Sequence, residues 1–230
     1  MIIISILLET GVIKVAKFLE VEEISKKYNE YYAVSPVSFS LNQAEIAVIT
    51  GPNGSGKTTL FSCLTGLIPP SSGTVKVAGF DLHQDEVEVH RRMAFVPDVP
   101  RFYTELTAWE HLEFIASAND LDKIDIESSG KKIFTDFGLW EARSLFPHNY
   151  SRGMRLKLGL AMAFIRPFDV LLLDEPTSAL DVESVDLLTE SLRGFREAGK
   201  AILLSTHDQR LIESLADRQF IINNGIIKEA

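Results

Sequence analysis

Short apolar runs alternate with longer amphipathic stretches along this chain. That alternation predicts an α/β protein with a largely parallel sheet. Ala44–Thr50 reads as an apolar strand running into the Gly-rich stretch Gly51–Gly56, and Lys57–Leu67 as the helix that follows. Thr74–Ala78 and Met93–Pro97 read as short strands. From Thr107 to Trp140 the period changes: Leu112, Ile115 and Ala116, then Ile133, Phe134 and Phe137, recur at helical spacing and predict a helical insertion. Arg152–Ile165 reads as a further helix. Val170–Leu173 is continuously apolar, the pattern of a central strand buried on both faces. A helix over Val182–Ala198 would be ended by Gly199. Ala201–Ser205 reads as a strand, Gln209–Ala216 as a helix and Phe220–Ile222 as a final strand. The turn Asn223-Asn224-Gly225 favours positive φ and leads into a short hairpin partner.

The strongest chemical signal lies between the first strand and the first helix. Gly51-Pro52-Asn53-Gly54-Ser55-Gly56-Lys57-Thr58 fits the P-loop pattern, and Thr59 follows it. The glycines allow unusual φ and close approach of backbone to phosphate. Successive N–H groups converge on the β-phosphate, aided by the helix N-terminus that follows. Lys57 brings a flexible positive charge to the β- and γ-oxygens, and the Thr58 hydroxyl is placed to ligate Mg²⁺. The second signal is Val170–Asp174 followed by Glu175. An apolar strand ending in two acids puts carboxylates at the edge where open α/β sheets bind ligands. Asp174 would hold the Mg²⁺ shell and Glu175 would act as general base on the attacking water. Alone, this stretch would read equally well as an acidic turn closing a buried strand.

Composition narrows the class. The 230 residues suit one domain with a subdomain, and 46% hydrophobic with 24% charged residues is ordinary for a globular chain. The net charge of −9 makes a general nucleic-acid binder a poor reading, so any anion must be held locally. Cys63 is the only cysteine, which excludes an intramolecular disulfide and suits a reducing compartment. The longest apolar stretches, Met1–Leu8 and Leu158–Ile165, fall short of the roughly 20 residues a membrane span needs. Met1–Leu8 lacks a basic start and is followed by Glu9, so it is a poor signal peptide. The expectation is a protein kept inside the cell that serves a membrane, if at all, through a partner.

A P-loop alone leaves kinases, GTPases, helicases and transport ATPases open. Tyr150-Ser151-Arg152-Gly153-Met154-Arg155 opens a helix 23 residues before Asp174, with Ser151 as a natural N-cap. Here the sequence resembles the ATP-binding-cassette (ABC) ATPase family, whose signature is usually Leu-Ser-Gly-Gly-Gln. Ser151 and Gly153 match it, while Tyr150, Arg152 and Met154 depart in the manner of exporter-like (ABC-2 type) members. By the same resemblance Ser178-Ala179-Leu180-Asp181 is the D-loop that crosses a dimer interface, with Ala179 where Gly is usual. His207 is the switch histidine that contacts the γ-phosphate. Tyr28 is the aromatic that stacks on adenine, although Tyr31 and Tyr32 stand close by. Asp98 occupies the place of a Gln that touches Mg²⁺ and links the core to a helical subdomain. No Asn-Lys-x-Asp guanine motif is present.

The resemblance covers Phe18 to about Lys228. It implies one ABC ATPase domain over 1–230, with a RecA-like mixed-sheet core over about 18–96 and 160–230. An antiparallel β subdomain and a helical subdomain over about 97–159 complete it. Residues 1–17 are an extra N-terminal segment, open among an edge strand, a translated upstream start and a membrane-touching role. The resemblance further implies ATP and Mg²⁺ and a head-to-tail homodimer or pseudo-dimer of such subunits. A separate transmembrane subunit would dock beside Asp98–Thr104, where Phe102 and Tyr103 are apolar candidates, on the cytoplasmic face of the membrane. The competing reading, a soluble ABC ATPase acting on DNA or ribosomes, usually brings two cassettes or a coiled-coil insertion, and neither is present.

Overall fold

The computed structural model describes residues 16–230. The expectations for the N-terminal segment therefore fall largely outside the described residues; Lys17 itself opens the first strand. The chain begins with a long antiparallel hairpin, β1 (Lys17–Tyr28) and β2 (Tyr31–Asn42), turned at Asn29 with φ 52°. Then come β3 (Ile46–Thr50), α1 (Lys57–Leu64), β4 (Ser72–Val77), β5 (Phe80–Asp81), α2 (Glu86–Arg92) and β6 (Met93–Val96). The helical insertion holds α3 (Ala108–Ala118), α4 (Lys123–Asp136), two 3-10 turns at Trp140–Ala142 and Pro147–Asn149, and α5 (Arg152–Phe164). The chain returns through β7 (Val170–Asp174), α6 (Val182–Glu197), β8 (Ala201–Ser205), α7 (Gln209–Leu215), β9 (Arg218–Asn223) and β10 (Ile226–Glu229).

Two sheets result. One is antiparallel, in the order β2-β1-β4-β5; the other runs β10-β9-β3-β8-β7-β6 and is parallel except at β10. Side chains of the parallel sheet divide between its faces with period two. Ala47, Ile49, Leu172 and Leu203 pack with Leu60, Phe61, Cys63 and Leu64 of α1 and with the antiparallel sheet. Ile46, Val48, Leu171, Leu173, Ile202 and Leu204 pack with α3 to α7, among them Leu112, Phe134, Leu156 and Leu188. Both faces are thus covered, which is why β3, β7 and β8 read as unbroken apolar runs.

The local chemistry explains most boundaries and the departures from expectation. Helix α1 stops at Leu64, not Leu67, because Gly66 turns left-handed at φ 74° and Thr65 Oγ1 donates back to the Phe61 carbonyl at 2.9 Å. The expected strand starting at Ala44 begins at Ile46, since Ala44 itself sits in a turn at φ 60°. The expected helical stretch over Thr107–Trp140 forms as two helices, α3 and α4. Thr107 and Glu110 form a capping box at the start of α3, and Asp122 caps α4 through the Asp125 N–H. Trp109 of α3 meets Phe134 and Trp140 edge-on at 5.4 and 5.7 Å. Tyr150, just before α5, donates its hydroxyl to the Ala142 carbonyl at 2.9 Å, and burial pushes its pKa up to about 12.

Cys63 is fully buried in α1, and desolvation pushes its thiol up to about 11, so almost no thiolate forms near neutrality. The native protein at pH 7.5 is expected to resist iodoacetamide, and the denatured chain to take up one equivalent by mass spectrometry. Rapid labelling of the folded form would contradict the packing of α1 between the sheets.

Candidate functional site

The site grows from the junction of β3 and α1. A Cβ at Gly51 would stand 2.1 Å from the Ile222 carbonyl oxygen, and one at Gly56 would stand 2.2 Å from that of Ala33. Gly56 also holds φ 111°, which L side chains avoid. The loop is therefore pressed between β9 and β2. Lys57 is nearly buried; its Nζ donates to the Gly51 carbonyl at 2.6 Å. The same Nζ stands 3.2 Å from His207 Nε2 and 3.4 Å from Glu175 Oε1.

Asp174 ends β7 with no exposure and is held from two sides. Thr58 Oγ1 donates to its Oδ2 and Ser205 Oγ to its Oδ1, each at 2.6 Å. Glu175 follows at φ 49°, an uncommon conformation for a non-glycine residue. It persists because the Glu175 N–H donates to both the carbonyl and the hydroxyl of Ser205, at 3.1 and 2.9 Å. Glu175 Oε1 comes within 3.1 Å of His207 Nε2, a close approach without hydrogen-bond geometry. Above this floor lies a cavity of about 380 Å³, lined by Pro52–Thr59 with Tyr31, Ala33, Asp98 and Glu175.

A second constellation surrounds the start of α5. Ser151 caps the helix by accepting from the Met154 N–H at 3.2 Å. A Cβ at Gly153 would lie 2.5 Å from the Ala179 carbonyl oxygen, so the helix start rests against the loop after β7. That loop ends at Asp181, which caps α6 through the Ser184 N–H at 2.9 Å and accepts from Lys157 Nζ at 2.7 Å. The Lys157 contact, then the Ser184 hydroxyl and N–H, hold the Asp181 carboxyl far below the usual carboxylate range. Asp98 Oδ1 accepts from Arg152 Nη2 at 3.0 Å and from Ser178 Oγ at 2.7 Å. None of Ser151, Arg152, Gly153 and Met154 lines the cavity over Lys57.

Comparison with known proteins decides what these parts belong to. The family described as ABC transporter matches residues 34–178. The chain belongs to the ABC transporter family. It is 36% identical over 214 residues to the uncharacterized ABC transporter ATP-binding protein YxlF of Bacillus subtilis, covering 91% of this chain and 69% of that one. It is 32% identical over 209 residues to the SkfA peptide export ATP-binding protein SkfE of the same organism, covering 91% and 87%. A solved structure of the ATP binding subunit of an ABC transporter superposes with TM-score 0.85 at 30% identity, covering 92% of this chain and 90% of that one.

The protein is accordingly an ATP-binding subunit of the ABC transporter family, and it binds and hydrolyses ATP in the manner of that family. Against that identity, Tyr31 lines the ABC site's cavity, whereas Tyr28 does not. Tyr28 ends β1 on the far side of the Asn29 turn, where its ring lies 5.1 Å from Lys26 Nζ. Asp98 does line the cavity, but one of its oxygens is taken by Arg152 and Ser178.

Sequence reasoning missed Ser205, which holds both acids of this ABC ATPase. No local signal marks it: only the parallel register of β7 and β8 in the folded sheet sets Asp174 beside Ser205. It also missed Lys157, one helical turn beyond Met154, which pairs with Asp181.

Proposed function

We propose that this subunit powers an exporter-like membrane transporter by ATP-dependent head-to-tail pairing of two cassettes. The observation that carries this reading is the separation of the Ser151 turn from the P-loop cavity of its own chain. A Ser-capped helix N-terminus is suited to a γ-phosphate, and a second copy could bring one to the ATP held on Gly51–Thr59. Asp181, in the loop against Gly153, would then lie at the same interface. The export direction draws support from the relative named for SkfA peptide export and from the linearmycin resistance ATP-binding protein LnrL of Bacillus subtilis.

In this reading Lys57 leaves its contact with the Gly51 carbonyl for the β- and γ-oxygens. Ser55 lines the cavity with a buried hydroxyl that has no partner among the described residues, a donor suited to a phosphate oxygen. Tyr31, or Tyr28 after a turn movement, stacks on the base. Glu175 accepts the proton of the attacking water, and His207 orients the γ-phosphate. The oxygen donors of Thr58, Asp174 and Asp98 fit Mg²⁺, which prefers one or two carboxylates shared with substrate phosphates. That ion would supply charge neutralisation at the β- and γ-oxygens.

A division into a core over 18–96 and 160–230 and a helical subdomain over 97–159 suits this role. Between the two lies an apolar groove of about 750 Å³ lined by Leu67, Ile68, Phe95, Val99, Pro100, Phe102 and Met162, among others. We assign it to the membrane subunit. Val99 is exposed in it and Phe102 is half-buried against His111, while Tyr103, exposed, packs against His111 and Phe114 and does not line it. Among the described residues no helix is long and apolar enough to cross a membrane, so the span would come from that partner. Affinity purification from gently solubilised membranes is expected to recover a multi-spanning protein in stoichiometric amount. Recovery only with ribosomes or DNA would sink the transport reading.

A further inference from the structure

Two residues at which this chain departs from the family pattern touch each other. By the family resemblance, Asp98 stands where Gln is usual and Arg152 where the signature usually has Gly. Arg152 Nη2 donates to Asp98 Oδ1 at 3.0 Å, and the Ser178 hydroxyl donates to the same oxygen at 2.7 Å. Arg152 Nη2 also lies 3.2 Å from Ser178 Oγ, which closes a triangle. Its corners come from the loop after β6, the first turn of α5 and the loop after β7. Asp98 lines the P-loop cavity and Arg152 does not, so a continuous polar contact runs from the cavity to the signature turn within one chain.

Charge gives the triangle a purpose. A carboxylate beside the phosphates of ATP repels them, whereas an amide does not. A guanidinium in contact with that carboxylate offsets the repulsion. The contact also fixes which oxygen faces which partner. Oδ1 is committed to two donors, and among the described residues no hydrogen bond reaches Oδ2, which remains for a hard cation or its water.

We propose that Arg152 is a positioning residue of the ATP site, which neutralises Asp98 and holds it in one orientation, so that nucleotide binding and the signature turn are linked through Asp98 and Ser178. This rests on the ATP-site reading and extends it to a residue outside the cavity. The side chains of Arg152 and Asp98 are 57% and 35% exposed, so solvent screening keeps the pair's share of folding stability small. Its effect falls on the site instead.

The test uses the whole chain and a fluorescent N-methylanthraniloyl ATP, titrated with and without Mg²⁺, alongside kcat and KM for ATP. The variants are Arg152→Ala, Asp98→Ala, the double variant, Arg152→Lys and Lys57→Ala. Arg152→Ala is expected to weaken metal-free binding about 5-fold and to widen the gap between metal-free and Mg²⁺-supported affinity. Arg152→Lys should restore part of the loss, since it keeps the charge but not the planar fork. In the Asp98→Ala background, replacing Arg152 should change binding no further. Melting temperatures should stay within about 4 °C of wild type. The proposal is overturned if Arg152→Ala leaves metal-free binding unchanged. It is equally overturned if the full effect persists without Asp98, because Arg152 would then act elsewhere, for example across a dimer. Lys57→Ala separates the two levels: if it binds and turns over ATP like wild type, the ATP-site reading itself fails.

Discussion

Glu175→Gln is expected to lower steady-state ATP hydrolysis by about 10²–10⁴-fold, the range a general base contributes, while ATP still binds. The amide keeps the size of the side chain and both backbone hydrogen bonds to Ser205, so the fold at φ 49° is undisturbed. It loses the ability to take a proton from water, and it also loses the ion pair with Lys57. Lys57 is then freer to engage phosphate, so affinity should hold or rise. With hydrolysis blocked, the proposed sandwich should accumulate. Size-exclusion chromatography with light scattering in excess Mg²⁺-ATP is expected to show a dimer for this variant and a largely monomeric wild type after turnover. A variant that hydrolyses normally would remove Glu175 from the chemistry. One that is inactive but stays monomeric would leave the base in place and refute ATP-driven pairing.

Lys57→Ala should act a step earlier. The ammonium is nearly buried and is the only cation within contact of Glu175 among the described ion pairs, apart from His207 if protonated. In the proposed ATP complex its removal would delete charge-assisted hydrogen bonds to the β- and γ-oxygens, each worth about 1.5–3 kcal/mol. It also leaves Glu175 without its lysine partner, beside an incoming polyanion. Together these effects should weaken ATP binding by about 10²-fold or more and abolish measurable turnover. Calorimetric titration of ATP into the variant checks the affinity. A melting curve checks that the loss is not unfolding, since α1 keeps its apolar contacts through Leu60, Phe61 and Leu64.

The catalytic half of the molecule was legible because its signals are local and continuous. The run Ile46–Thr50, the glycines and Lys57 sit within a dozen residues, and Val170–Asp174 is apolar to its last position. Both are buried on two faces, so nothing dilutes the pattern. The opening hairpin was not legible from periodicity. Strand β1 slips register against β2 between Val21 and Ile24 and again between Ile24 and Lys26, and each slip breaks the alternation that marks a strand. Only the family resemblance implied an antiparallel β subdomain. The site's supports were invisible for a different reason. Ser205 and Asp174 are 31 residues apart and meet only through sheet register, and Arg152 reaches Asp98 across 54 residues. The position of Tyr31 relative to Tyr28 depends on which side of the Asn29 turn faces the cavity, and composition does not encode that.

The close quarters of Gly51 and Gly56 carry one more consequence. Their backbones abut the carbonyl oxygens of Ile222 and Ala33, which belong to different sheets. A glycine-rich loop free in solution would lose much conformational entropy on wrapping a phosphate chain. Here that loss has occurred during folding, when the two sheets closed on α1. ATP therefore meets a cradle whose shape is already set, and little of the free energy of its phosphate contacts goes to ordering the loop.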